Sequence, residues 1–408
     1  MKSRWLSSLF GLVVVALVAA SYVFTERHGL RSTLSDRTLS VELEGTPVAV
    51  FDTANDSCEE IDIPDAPARA FRDYQGTVHL VASHWVMRAS LGPTLENVKH
   101  NCQIAYRSNH DRNPANFDDD TWLDAFYSID GKRVVALGHM EYHGSEHEGM
   151  CGTNIDGNLC WYNADTLHMS EDGGYHFASF RPPANFVAGL PYKYEANNGP
   201  EGYSVDTNIV KAGKWYYAMV TGWRWPPNCT DGNGRNRCLV PAGACPIRTS
   251  DLLVASSWRG WNGTDFAVSF VNPYQNPVIR PADFVCAPVT YMDCVNGINI
   301  HEPSHLFIAT LGDPFNTEYG PKGAYLSTST DLIHWSKPVL VVTIDQLRAK
   351  EPTGRWDYVY FSLIDPASKD ANFATITDAP YLYYVRTDKS QPPYARVLFR
   401  QKIRLSLK

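Results

Sequence analysis

A chain of 408 residues with no Gly/Ser linker, charge block or low-complexity tract reads as one catalytic-sized domain behind a targeting segment. Its formal net charge of −8 offers no basic footprint, which argues against nucleic acid or any other phosphate-backbone partner. Tyr, Trp and Phe at 12%, with 28 Gly and 26 Pro, argue against helices and for short aromatic-rich strands joined by turns.

The chain opens Met1-Lys2-Ser3-Arg4 and continues as an uncharged apolar run from Trp5 to Phe24, about the ~20 residues needed to cross a bilayer. Residues 1–24 are therefore a signal peptide or a membrane anchor, 25–38 a linker, and 39–408 the folded domain. Val18-Ala19-Ala20 is an acceptable cleavage site, whereas the length equally suits an uncleaved anchor with Lys2 and Arg4 inside. Either route delivers the rest of the chain to an oxidising compartment: secreted, periplasmic or on the extracytoplasmic face, touching the membrane only through this segment.

Cysteine usage agrees with export. Cys151 and Cys160 bracket one short loop, Cys286 and Cys294 another, and Cys229, Cys238 and Cys245 cluster in a Gly/Asn-rich excursion, with Cys58 and Cys102 as a possible remaining pair. None has the CxxC form of a zinc site, and no metal or cofactor is expected.

Beyond residue 38 one arrangement recurs: a polar-tinged strand, a tight turn, an aromatic strand, then a strand ending in a Ser/Thr-Asp turn. The hairpins fall at Asp73 to Gly76 before Val78-His79-Leu80-Val81, and at Asp130-Gly131 before Val134-Val135-Ala136-Leu137. Others fall at Gly213 before Trp215-Tyr216-Tyr217-Ala218, at Pro303-Ser304 before Leu306-Phe307-Ile308-Ala309, and before Tyr381-Leu382-Tyr383-Tyr384. Five hairpins predict an all-β, five-bladed propeller. Ser170-Glu171-Asp172-Gly173-Gly174-Tyr175-His176-Phe177 fits S-x-D-x-G-x-x-aromatic; Ser329 to Trp335 is a looser copy and Thr249-Ser250-Asp251-Leu252 a degenerate one. In each, the Asp closes a turn on backbone N–H groups, a structural role. Leu39 to Phe51 alternates like a strand, and pairing it with the last strand, around Val397-Leu398-Phe399, would close the ring from both chain ends.

The innermost strand of each blade lines a shared funnel, so polar residues there are candidates for chemistry: Asp65 and Arg69, Asp124, Asp206 and Asn208, and Ser362 and Asp365. Asp124 and Asp206 each precede a turn glycine, Gly131 and Gly213, by seven residues, which predicts one height. Arg69 has this spacing from Gly76, while Asp65 stands further back between Pro64 and Pro67, at the funnel mouth or in a loop. In His139-Met140-Glu141-Tyr142-His143, alternation puts His139, Glu141 and His143 on one face, able to protonate a leaving group, hold a metal, bind sugar hydroxyls or buttress the rim. His84 ends the matching strand of the first blade, and Trp223 and Trp225 offer a stacking platform or blade filling.

With these residues in place the chain resembles the five-bladed propeller glycosidases, the clan of arabinanases, β-xylosidases and invertase-like enzymes, over residues 39–408. The resemblance implies an Asp general base on blade one, a pKa-tuning Asp on blade two and a Glu general acid on blade three. Carried over, Ile63-Pro64-Asp65-Ala66-Pro67 supplies Asp65 as base and Trp122-Leu123-Asp124 supplies the tuning Asp124. At the third position Val205-Asp206-Thr207 stands where Glu-Gly-Pro is expected, so Asp206 serves as the acid or the acid lies elsewhere, with Glu141 the first alternative. The implied activity is hydrolysis of an extracellular poly- or oligosaccharide. Two others compete: a sialidase-like hydrolase using Arg69 and a nucleophile from Tyr360-Phe361-Ser362-Leu363, and a glycan-binding propeller that has lost its acid.

Overall fold

In the computed structural model the described residues are 38–82, 84–153, 155–223, 243–313, 319–351, 356–388 and 395–408. They fall into two units: the chain ends, described at 38–40 and 406–408, and Val41–Leu405, which carries the features discussed below. The hydrophobic N-terminal segment lies outside the described residues. Among those described, no helix is long and apolar enough to cross a membrane.

The protein is mostly β. Five antiparallel meanders follow one another along the chain, and each hairpin expected from the turn residues is present. Sheet I runs Arg69–Arg72, Val78–Val81, Ser90–Gly92 and Lys99–His100. Sheet II runs Asp120–Ser128, Val134–His143 and Trp161–Ser170, edged by Ala178–Ser179 and Phe186–Gly189. In sheet III, Glu201–Val205 and Val210–Ala212 both pair with Trp215–Trp223, followed by Ala244–Thr249, Arg259–Gly260 and Val268–Ser269. Sheet IV is Val295–His301, Leu306–Asp313, Gly323–Ser329 and Val339–Thr343. Sheet V takes Trp356–Ile364, Tyr381–Asp388 and Arg396–Leu407, and its fourth strand is Leu39–Asp52 from the other chain end, as the alternating pattern there anticipates.

Core residues sit between sheets, and strand periodicity explains how one strand serves two cores. Along Val134–His143, Val134 and Ala136 pack toward sheet I with Phe71 and Val81, while Val135 and Leu137 pack toward sheet III with Val220 and Ile247. Successive side chains point to opposite faces, so a strand covered on both faces must be apolar throughout, as this run is. Sheet III repeats the device: Ala218 and Val220 face sheet II, and Met219 faces sheet IV.

The inner strands are tied to one another by buried polar groups. Arg69 Nε donates to the Asp124 carbonyl (2.8 Å) and Nη2 to that of Asp206 (2.9 Å), joining sheets I, II and III. Asn208 bonds both backbone groups of Ile298, at 2.8 and 2.9 Å, and Ser362 Oγ donates to the Ala68 carbonyl at 3.0 Å. Sheets II and III also meet in a short parallel pairing of Tyr162–Asn163 with Glu201–Gly202. The strands approach so closely there that a Cβ on Gly202, at φ +137°, would lie 2.0 Å from the Asn163 carbonyl oxygen.

The Ser-x-Asp turns do the structural work expected of them. Asp172 Oδ1 accepts from the N–H groups of Tyr175 and His176 (3.2 and 3.0 Å), and Asp331 Oδ1 from those of Ile333 and His334 (2.9 and 2.8 Å). Phe177 and Trp335 are buried behind them.

Disulfides join Cys58 to Cys102, Cys151 to Cys160 and Cys245 to Cys286, and three such bonds point to an oxidising, extracytoplasmic environment. One expectation is corrected. Cys286 does not staple the short loop to Cys294; it reaches Cys245 across a sequence separation of 41, because Ala244–Thr249 passes beside it in the core shared with Trp258. Cys229 and Cys238 lie outside the described residues.

Candidate active site

A cavity of about 290 Å³ opens where the inner strands converge, lined by Asp65, Trp122, Asp124, His139, Glu141, Trp161, Asp206, Asn296 and Tyr360 among others. A larger cleft of about 490 Å³, bounded by Tyr192, Lys193, Glu195 and Tyr274, contains no set of converging acids. The smaller cavity is thus the one equipped for chemistry. It is at the lower end of the usual range for ligand sites, about 300–1,000 Å³.

Irregular backbone aims the side chains inward. Asp120–Ser128 pairs with its neighbour in register up to Leu123 and again from Ala125, leaving Asp124 as the extra residue of a bulge. Sheet IV slips likewise between Val295 and Gly297, releasing Asn296, and sheet V between Val359 and Ser362, releasing Tyr360 at φ +59°. Asp206 stands in the break between the two strand segments of sheet III. A bulge turns a side chain that regular alternation would send into an inter-sheet core, and four inner strands use such a break at the same cavity.

Asp65 sits in the loop ahead of sheet I. Its Oδ1 accepts the Tyr360 phenolic proton at 2.9 Å and forms an ion pair with Arg396, while His84 Nε2 lies 3.4 Å from Oδ2. Asp124, 6% exposed, has no hydrogen-bond partner on Oδ1, and its Oδ2 lies 3.8 Å from His139 Nδ1. Burial pushes its pKa up against the pull of His139 and Arg69, and the charge of Asp65 adds to the rise. Asp206 accepts from Ser204 Oγ at 2.9 Å. Burial, reinforced by Asp124, pushes its pKa up to about 6 despite the pull of the His139 charge and the Ser204 hydrogen bond.

Another acid of the same lining is held ionised. Glu141 lies between His139 Nε2 (3.1 Å to Oε1) and His143 Nε2 (2.9 Å to Oε2). Burial alone would raise its pKa, but the His139 charge and the two imidazole hydrogen bonds outweigh it and hold the carboxyl at about 2. Burial disfavours the His139 cation, yet Glu141 and Asp124 raise its pKa well above the ordinary histidine value. Asp165, fully buried on the neighbouring strand opposite His139, is driven up by burial and accepts the Val205 N–H at 2.7 Å.

The structure therefore gathers Asp65, Asp124, Glu141, Asp206 and His139 around one cavity, with His84 and His143 each against one of its carboxylates. Three predicted contacts lie elsewhere. Arg69 is buried beneath the cavity with its donors on backbone carbonyls, and burial lowers its pKa to about 10. Asn208 is consumed by Ile298. Asp365 is buried in a turn, accepting from Ala367 N–H (2.8 Å) and the Thr377 hydroxyl (2.6 Å). Of the suggested stacking platform, Trp225 and the Trp223 side chain lie outside the described residues; Trp122 and Trp161 are the indoles on this cavity. Arg396, Asn296 and Trp161 escaped the sequence reading, since an alternation pattern carries no signal for a bulge or for a partner on the last strand.

No family model matches the chain, and no curated protein does. Among solved structures it is similar to a β-xylosidase designated RS223 (TM-score 0.45, 10% identity, 88% of this chain and 94% of that one). It is also similar to a mutant α-L-arabinanase of Cellvibrio cellulosa (0.44, 9%, 84% and 91%). A third similarity is to the catalytic domain of the GH62 α-L-arabinofuranosidase of Coprinopsis cinerea (0.43, 10%, 88% and 97%).

Proposed function

We propose that this chain is a glycoside hydrolase on a five-bladed β-propeller, cutting O-glycosidic bonds of an extracytoplasmic poly- or oligosaccharide by carboxylate acid/base catalysis. The observation that carries the reading is a pair of carboxyl groups in different surroundings on one cavity: Asp65, ion-paired with Arg396, and Asp206, its pKa pushed up to about 6 by burial. Glycoside cleavage requires two carboxyl groups at one site, one of them able to hold a proton near neutral pH. Five consecutive meanders, with inner strands cross-tied by Arg69, Asn208 and Ser362, support the propeller.

In this reading Asp206 gives its proton to the leaving oxygen as the C–O bond breaks, and positive charge develops at the anomeric carbon. Asp65, oriented by Tyr360 and Arg396, takes a proton from the water that attacks that carbon. Asp124 lends negative charge that keeps Asp206 protonated, and Trp122 and Trp161 offer apolar faces to a sugar ring. Glu141, already ionised between two imidazoles, is a poor proton donor and serves as an acceptor for sugar hydroxyls. A tyrosine nucleophile finds partial support, since Tyr360 faces the cavity beside Asp65. However, burial and Asp65 push its phenol well above its ordinary value, and it stands as a hydrogen-bond donor.

The test is reducing-sugar release from arabinan, xylan, fructan and bacterial-wall glycans by the wild type, Asp65→Asn and Asp206→Asn. Turnover of at least one glycan, lost in both variants, is expected. Equal turnover in all three proteins sinks the assignments. Glycan binding without turnover, untouched by either amide, replaces the enzyme with a binding module.

A further inference from the structure

Asp118, Asp119 and Asp120 form a run of three consecutive acids at the start of sheet II, and all three are buried, at 9%, 2% and 5% exposure. Among the described residues no Lys or Arg forms an ion pair with any of them; the cations within reach of Asp119 and Asp120 are imidazoles. Adjacent carboxylates taken out of water without a compensating charge are strongly destabilising. The hydrogen bonds present do not remove the problem. Asp118 accepts from Asn109 at 2.8 Å, and Asp119 Oδ2 accepts from the His143 backbone N–H at 3.2 Å and meets His147 Nε2 at 2.8 Å. Asp120 Oδ1 has no hydrogen-bond partner, although His110 Nδ1 stands 2.6 Å away, so the two meet out of donor–acceptor alignment.

The groups converge. His110 Nδ1 and one oxygen from each of Asp119 and Asp120 lie within 4.8 Å of one another, and His147 reaches the same Asp119 carboxylate from the turn after Val134–His143. His110 is 42% exposed on its side chain, which leaves an entry path from solvent.

We propose that His110, Asp119 and Asp120 bind one divalent transition-metal ion of the zinc class, with His147 holding the far oxygen of the Asp119 carboxylate. One imidazole nitrogen and two carboxylate oxygens are a mixed N/O set that zinc accepts with water in the fourth position, whereas calcium prefers six to eight oxygens. The ion neutralises the buried acids and fastens the loop carrying His110 to the turn carrying His147. It lies beside the glycan cavity, since Asp120 is the cross-strand partner of Glu141, but shares none of its lining residues.

The chain, stripped with EDTA and exchanged into metal-free buffer, is titrated calorimetrically with ZnCl₂ and separately with CaCl₂. One saturable equivalent of zinc is expected, with a rise in melting temperature and an anomalous-scattering peak among His110, Asp119 and Asp120. His110→Ala, on an exposed loop position that leaves the fold intact, and Asp120→Asn should each weaken zinc about 10-fold or more. Asp172→Asn, which removes an exposed His–Asp pair at 2.7 Å, should not. Absence of saturable zinc binding, affinity unchanged in His110→Ala and Asp120→Asn, or tighter binding of calcium than zinc overturns the proposal.

Discussion

Glu141 and Asp206 line the same cavity, and both are taken out of water, yet one is held at about 2 and the other pushed up to about 6. The difference lies in their neighbours. Glu141 is flanked by two imidazoles on its own strand, so each oxygen meets a cation or a strong donor. Asp206 bonds the Ser204 hydroxyl and feels the negative charge of Asp124 against the pull of His139, while the guanidinium of Arg69 is turned to backbone carbonyls. Desolvation decides the protonation state only where no cation answers it. Below about pH 6 one cavity thereby holds a proton on Asp206 and an anion on Glu141.

The largest effect that would break this comparison is on turnover. Asp206→Asn and Asp65→Asn are each expected to lower kcat by about 10³-fold, within the range an acid or base contributes. Glu141→Gln should cost no more than about 10²-fold, expressed partly in KM, because it loses a binding anion and not a proton donor. Steady-state kinetics on the hydrolysed glycan checks both, and a greater loss in Glu141→Gln than in Asp206→Asn would exchange their roles. Next is the pH profile. The acid works protonated, so kcat/KM should fall as pH rises through about 6, and this limb should vanish in Asp206→Asn.

Stability gives a smaller, independent effect. The folded pKa of Asp206 is raised above its unfolded value of about 3.9, so the unfolded state binds fewer protons between that pH and about 6, and stability declines across the window. Asp206→Asn should therefore be more stable than wild type by about 2 kcal/mol at pH 7 and no more stable below pH ~4, as read from urea unfolding at the two pH values. The smallest effect expected is for Asp124→Asn. Removing a negative neighbour favours ionised Asp206, and the basic limb should move to lower pH. A move to higher pH would mean that Asp124 does not tune Asp206.

Much of this cavity was legible in the sequence, for local reasons. Asp124 and Asp206 were found by equal distance from Gly131 and Gly213, since a hairpin fixes how far a residue lies from its turn. His139, Glu141 and His143 were found by alternation, a property of one strand. What escaped was set by neighbours distant in sequence or by irregular backbone. Tyr360 drew notice as a nucleophile, but its bond to Asp65 depends on a bulge that resets alternation, and Arg396 arrives from the opposite chain end. Nearness along the chain misled the cysteine reading, because Cys245 meets Cys286 only once sheet III has formed. The Asp118–Asp120 run was visible as letters, yet its burial beside His110 and His147 was not.

Arg396 begins Arg396–Leu407, the strand that lies between Tyr381–Asp388 and Leu39–Asp52 in sheet V. Synthesis runs from the N-terminus, so Leu39–Asp52 is made well before Arg396–Leu407 and waits with an open edge until that strand appears. The ion pair at Asp65 forms with the same event, because its guanidinium rides on the strand that joins Leu39–Asp52 to the rest of sheet V. A nascent or truncated chain lacking that strand would carry two exposed edges and an uncompensated Asp65. Joining the two chain segments would also set the Arg396 charge beside Asp65, making the electrostatics of the pocket a readout of the assembly of sheet V.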